Sequence, residues 1–207
     1  RNINMIRLDK FLSEMGLGTR SEVKKLIKTG QIAINGTVAV KPETKVDTDA
    51  DEVSVNGRIV KYQRYEYYLF NKPSGCVSAT CDNVHDTVMD YITDAVHDDL
   101  FPVGRLDIDT EGLLLITNDG ALSHELLSPS KHVAKTYYAC IDGEVTWDDI
   151  IRFKEGIDIG EERTTKPAEL VIKKSGSVSE IELTITEGKF HQVKRMTASR
   201  GAPVLYL

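Results

Sequence analysis

The chain has 207 residues, enough for two domains, one of them small. With 41% hydrophobic and 28% charged residues and no low-complexity tract, the composition excludes a disordered or fibrous protein. The net charge of -6 hides an asymmetry: residues 1–66 carry 12 Lys+Arg against 9 Asp+Glu, and residues 67–207 carry 14 against 23. A basic module therefore precedes an acidic body, and only the first has the balance suited to an anionic partner.

No apolar run approaches the ~20 residues of a membrane span. No charged stretch followed by an apolar core and a cleavage site opens the chain. The expectation is a cytoplasmic protein without a membrane partner. Residues Arg1 to Asn4 precede Met5 and read as an addition ahead of the natural start. Cys76, Cys81 and Cys140 are odd in number and irregularly spaced. Cys76, Cys81 and His85 lack the paired spacing of a zinc site, so reduced thiols and no metal are expected.

In chain order, Leu8, Phe11, Leu12 and Met15 follow helical spacing, and Gly16 suits the left-handed residue that ends a helix. Thr19 and Glu22 form a capping box for a second helix with Val23, Leu26 and Ile27 inward, closed by Gly30. Ile32 and Ile34 alternate with polar residues before Asn35-Gly36, a strong hairpin signal that returns at Asn56-Gly57. Residues 5–60 thus form one small domain of two helices and short strands. The polar residues 61–66 read as a linker, and residues 66–207 form the second domain.

That second domain predicts strands at Tyr67–Asn71, Gly112–Thr117, Thr136–Ile141, Ala168–Lys173 and Glu180–Glu187. Helices are predicted at His85–Tyr91, Ala121–Leu127, Trp147–Glu155 and His191–Ser199. Strands outnumber helices without regular βαβ alternation, so the fold class is α+β on a mainly antiparallel mixed sheet.

The second helix places Lys24, Lys25 and Lys28 off its apolar stripe, with Arg7, Lys10 and Arg20 nearby in sequence. Such a face can be plain solvation, or it can track phosphates by releasing counterions. The stretch Arg7-Leu8-Asp9-Lys10-Phe11-Leu12, then Thr19-Arg20-Ser21-Glu22 through Leu26-Ile27, then Gly30 to Gly36, resembles the S-four-like RNA-binding domain. The resemblance implies that this face meets RNA.

The segment Pro102 to Leu115 carries the densest chemistry. Asp107, Asp109 and Glu111 alternate ahead of Gly112, which suggests a calcium loop. A calcium loop needs an acid at its twelfth position, however, and counting from Asp107 that residue is Asn118. An Asx turn, with Asp107 or Asp109 bonded to its own backbone, fits the spacing alone. Gly104-Arg105-Leu106-Asp107, followed by Thr110-Glu111-Gly112-Leu113-Leu114, resembles instead the signature loop of pseudouridine synthases.

Further segments follow in the family's order. Asn71-Lys72-Pro73-Ser74-Gly75 is similar to its entry strand and turn, and Lys135-Thr136-Tyr137 to the strand whose tyrosine lines the active site. The run from Gly188 to Met196 is similar to its last motif, which pairs a basic residue, here Lys194, with the catalytic aspartate. Lys166-Pro167-Ala168 and His191-Gln192-Val193-Lys194-Arg195-Met196 favour the RsuA-type branch, which acts on small-subunit ribosomal RNA. Members of that branch continue past the position of Leu207, so the resemblance implies that part of the sheet is missing.

The resemblance implies isomerisation of one uridine in ribosomal RNA, most directly 16S RNA or an assembling small subunit, by a monomer without a cofactor. Asp107 would be the catalytic carboxylate, as nucleophile or base. Burial disfavours an ionised carboxylate, and a cation at Lys194 would offset that. Tyr137 would stack on the base. Arg105 would fill the space the flipped nucleotide vacates or hold its phosphate, or else pair with Asp109 or Glu111. His191 reads as a structural histidine. The alternative function is a non-catalytic RNA-binding assembly factor of the same fold, which would be expected to lose Asp107.

Overall fold

The computed structural model describes residues 4–207, so the reading of Arg1 to Asn4 falls outside them except at Asn4. The chain divides into two compact units. One holds the described residues through Tyr68 with Met89–Phe101 and Ile116–Asp119; the other holds Leu69–Val88, Pro102–Leu115 and Gly120–Leu207.

The first unit opens with β1 (Met5–Arg7), α1 (Leu8–Glu14) and α2 (Arg20–Lys28), then β2 (Ile32–Ile34), β3 (Thr37–Val38), β4 (Lys45–Asp47), β5 (Val53–Val55) and β6 (Arg58–Val60). The capping box expected at Thr19 is formed, with Thr19 N donating to Glu22 Oε2 at 2.7 Å. Both Asn-Gly turns take the left-handed conformations a tight hairpin needs, with φ of 49° and 78° at Asn35-Gly36 and 48° and 77° at Asn56-Gly57. They connect an antiparallel sheet in the order β3-β2-β5-β6, while β1 pairs with β4. Leu8, Phe11, Leu12, Val23, Ile27 and Ile32 are buried together as its core. The polar segment 61–66 does not behave as a free linker. Tyr62 stacks on Phe11 with centroids 5.3 Å apart and donates to Glu14 at 2.7 Å. The buried Glu66 carboxylate accepts the Val96 and His97 amides, which explains how a charge is tolerated there.

The remaining strands are β7 (Tyr67–Lys72), β8 (Phe101–Val103), β9 (Gly112–Thr117), β10 (Lys135–Asp142), β11 (Glu169–Lys174), β12 (Val178–Ile185) and β13 (Val204–Tyr206). Interleaved with them are α3 (Gly120–Leu127), α4 (Trp147–Glu155) and α5 (Gln192–Ala198). The larger sheet is antiparallel in the order β11-β12-β10-β13, and a three-stranded sheet runs β7-β9-β8. Period-two burial puts Ala139, Ile141, Ile181, Leu183 and Ile185 on one face, covered by Phe153 of α4 and by Val193 and Met196 of α5. Tyr137 packs against this cluster at the end of the same row.

The α+β architecture matches the expectation, with element ends displaced by one or two residues. One predicted helix is wrong. Within His85–Tyr91 only Val88–Tyr91 forms a single 3-10 turn. Asp82 accepts the Val84 and His85 amides, both at 2.8 Å, and Val77 bridges Thr87. These bonds commit the backbone that a helix would have used. Cys76 is buried, Cys81 is exposed, and His85 lies 3.4 Å from Asp82.

Candidate active site

The signature loop runs between β8 and β9. Gly104, at φ 89°, lets the chain leave β8 through a turn in which a Cβ would lie 3.2 Å from Leu127. The loop is then held from several sides. Ser78 Oγ donates to Leu106 O at 2.9 Å and accepts Leu106 N at 3.0 Å. Gly75 N donates to Ile108 O at 2.7 Å, and Thr110 N to Asp107 O at 3.1 Å. Lys72 is fully buried, and its ammonium donates to the carbonyls of Pro73, Ile108 and Thr110 at 3.1, 3.3 and 3.0 Å. Desolvation lowers its pKa. A buried ammonium without partners costs several kcal/mol, and three carbonyls offset that while fixing the turn beyond Asp107. The Thr110 hydroxyl is buried without a hydrogen-bond partner among the described residues.

On the opposite wall, the turn before α5 is clamped by the buried Gln192. Its side chain accepts Lys189 N and donates to Glu187 Oε1, both at 2.9 Å. His191 takes a left-handed φ of 47° ahead of α5, and Lys194 then projects from the first turn toward the loop. Lys194 Nζ lies 2.9 Å from Asp107 Oδ2 and also bonds Asp109 Oδ1. His191 Nε2 stands 3.5 Å from Asp107 Oδ1.

The Asp107 carboxylate thus faces Lys194 and His191 rather than its own backbone amide, whereas Asp109 keeps a bond to its own backbone, so the Asx-turn reading is set aside for Asp107 alone. The side chains of Asp107 and Lys194 keep 25% and 23% of their exposure, so the pair is accessible from the cleft yet partly desolvated. Desolvation lowers the Lys194 pKa, but the hydrogen bonds it donates to Asp109 and Asp107 more than reverse this, and the net shift is upward. The bond from Lys194 holds Asp109 below its usual carboxylate range. Burial raises the Tyr137 hydroxyl pKa, and the Asp107 charge adds to the effect.

Asp107, Tyr137, Lys194, His191 and Arg105 all line one open cleft of about 1150 Å³. Arg105 is exposed and forms no ion pair with a described residue, so neither expected partner, Asp109 nor Glu111, engages it. Arg195 points elsewhere, bonding Glu161 Oε1 at 2.8 Å and Phe190 O at 3.1 Å. Of these two neighbours, Lys194 and not Arg195 is thus the cation that faces Asp107.

The basic residues of the first unit divide into two groups. Arg7 is committed to Asp9 at 2.8 Å and Lys10 to Glu14 at 3.5 Å. Arg20, Lys24, Lys25 and Lys28 are exposed on α2 and pair with no described carboxylate. Sequence reasoning missed the roles of Lys72, Ser78, Asp109 and Gln192. Lys72 alone carried a signal: strand alternation places it on the inward face with Tyr68 and Phe70, an unusual site for a lysine.

With this geometry in place, comparison with known proteins is specific. Residues 66–199 match the family described as RNA pseudouridylate synthase, and residues 6–53 match the S4 domain. The chain is 46% identical to the uncharacterized RNA pseudouridine synthase YtzG of Bacillus subtilis, covering 98% of this chain and 85% of that protein. It is 37% identical to ribosomal small subunit pseudouridine synthase A of Haemophilus influenzae (98% and 86% covered). To ribosomal large subunit pseudouridine synthase B of Bacillus subtilis it is 36% identical (98% and 84% covered). A crystal structure of a pseudouridylate synthase aligns with a TM-score of 0.64 at 35% identity, over 97% of this chain and 86% of that one. The chain belongs to the RNA pseudouridylate synthase family and is an RNA-modifying isomerase.

Proposed function

We propose that this enzyme converts one uridine of ribosomal RNA to pseudouridine, with Asp107 as the catalytic carboxylate. The observation that carries the reading is the Asp107–Lys194 ion pair set in an open cleft beside Tyr137. The reaction breaks the bond between uracil N1 and the sugar, turns the base, and joins its C5 to the same sugar carbon. Atoms balance without an added reagent, because the proton that leaves C5 is matched by one taken up at N1. Asp107 acts on the sugar, as nucleophile or as base, and must be ionised to do so. Lys194 sets a positive charge against that carboxylate in a partly desolvated site. Tyr137 offers its ring to the base, and its raised pKa keeps the hydroxyl protonated. Arg105, unpaired and exposed, occupies the space the flipped nucleotide leaves, offsetting an unstacking cost of a few kcal/mol.

Ribosomal RNA is the substrate class because two of the relatives above are named for a ribosomal subunit. Their identities, 37% and 36%, do not separate the two subunits. The motifs Lys166-Pro167-Ala168 and His191 to Met196 favour the small subunit, and we assign 16S RNA or an assembling small subunit to a cytoplasmic monomer. Mapping pseudouridine in ribosomal RNA from cells with and without the gene tests this. One small-subunit site should vanish on deletion. Loss of a large-subunit site instead would move the assignment, and an unchanged map of both RNAs would end it.

Residues 5–60 supply RNA affinity and residues 66–207 the chemistry. Arg20, Lys24 and Lys28 recur every four residues along α2, a stripe of cations without carboxylate partners. Each cation that neutralises a phosphate contributes roughly 0.7 to the slope of log affinity against log salt for single-stranded RNA. Changing Lys24, Lys25 and Lys28 together to Ala should flatten that slope by about two. An unchanged slope in a filter-binding titration would reduce this face to simple solvation.

A further inference from the structure

Phe190 is a large apolar side chain left 74% exposed at the cleft that holds Asp107. Neither catalysis nor core packing accounts for it, and exposing a full aromatic ring forgoes burial that ordinarily stabilises a fold by ~2 kcal/mol. Its ring is nevertheless placed with care. It stacks on His191 with centroids 3.8 Å apart and planes 19° from parallel. The backbone beneath is fixed on both sides: Arg195 donates to Phe190 O at 3.1 Å, and Gln192 Oε1 accepts Lys189 N at 2.9 Å. His191 pays for the arrangement with a left-handed backbone, uncommon outside glycine. One face of Phe190 is covered by the imidazole, whose far edge lies 3.5 Å from Asp107. The rest of the ring is open to solvent.

We propose that the Phe190–His191 stack is a binding platform for an unpaired nucleobase, the one adjoining the uridine presented to Asp107. The inference rests on the reading of this cleft as the RNA site. An exposed aromatic face next to a catalytic carboxylate offers what a splayed-out base needs, a π surface that tolerates any sequence. The two short contacts that link Phe190 through His191 to Asp107 set its open face one ring beyond the reacting nucleotide. A base there would pin the strand on one side of the target while Arg105 acts at the vacated stack. Charged neighbours do not compete for the face, because Lys189 and Arg195 are both tied to Glu161, at 3.0 and 2.8 Å.

The test uses the full chain and a single-stranded RNA oligonucleotide with a central uridine and 2-aminopurine at the position before or after it. In the wild-type complex, 2-aminopurine at one of these positions should be strongly quenched, as stacked purines are. Phe190→Leu keeps an apolar side chain without a π face. It should restore that fluorescence and weaken binding by about ten-fold, whereas Phe190→Tyr should preserve both. Circular dichroism checks that each variant is folded. Equal fluorescence in the wild type and Phe190→Leu at both positions would overturn the platform. So would a loss of turnover with binding and quenching unchanged, since Phe190 would then act only through His191. Binding and quenching are read without turnover. An enzyme that shows the Phe190-dependent signal but isomerises no ribosomal RNA would thus count against the activity reading and leave the platform standing.

Discussion

Asp107→Asn should abolish isomerisation, with turnover at least a thousand-fold below wild type, because the change removes the carboxylate proposed to act on the sugar. It should do so without unfolding the protein, and the ion-pair geometry explains why. In most partly buried pairs, neutralising one member strands the other charge, at a cost of several kcal/mol. Here Lys194 bonds two carboxylates, and Asp109 remains when Asp107 is neutral. The loop itself is held by Ser78, Gly75 and Lys72 through backbone atoms, not through the Asp107 side chain. The melting temperature should therefore move by no more than about 3 °C, and RNA affinity should stay within about two-fold, since neither the α2 lysines nor Phe190 is disturbed. Single-turnover assays on ribosomal RNA, beside thermal unfolding of the same preparations, check both halves. An Asn variant retaining a tenth of wild-type turnover would remove Asp107 from the mechanism. Full loss of activity accompanied by a collapsed melting temperature would show only that the loop had been broken.

What the sequence revealed, and what it hid, follows the range of the interactions. The capping box at Thr19 and the two Asn-Gly turns are local, written within four residues, and they appear where expected. The pairing of Lys194 with Asp107 spans 87 positions and was reached only through the order of family motifs. Spacing alone would have left Asp107 in an Asx turn. Short strands such as β1, β8 and β13 went unseen because three residues carry no periodicity, and their partners lie far along the chain. The false helix at His85–Tyr91 has a related origin. Its residues are compatible with a helix, but Asp82 and Val77 take the backbone first. The supports of the loop were the least legible. Ser78 and Gln192 are ordinary polar residues whose roles depend on burial, and nothing in their neighbourhood marks them as buried. Lys72 was the exception, since alternation along β7 points its ammonium inward.

Lys194→Met should both slow the reaction and move its pH dependence, and the direction of that movement is fixed by charge. The role proposed for Asp107 needs its carboxylate, and Lys194 sets a positive charge 2.9 Å from it. Without the cation the carboxylate loses its facing positive charge, so the acid limb of kcat against pH should move to higher pH. Asp109 sharpens the effect, because its charge, once balanced by Lys194, would then add to the repulsion at Asp107. His191 is left as the remaining cationic contact and, at 3.5 Å, compensates only where it is protonated. Lys194→Arg keeps the charge and should leave the acid limb near its wild-type position even if turnover falls. Arg195→Met is the contrasting control, since Arg195 reaches Glu161 and the Phe190 carbonyl rather than Asp107. It should leave the limb where it is. An acid limb that stays put in Lys194→Met, or moves equally in Arg195→Met, would mean that ionisation of Asp107 does not depend on Lys194. The pair would then be an architectural tie between the signature loop and α5, and the proton balance of the reaction would have to be set elsewhere in the cleft.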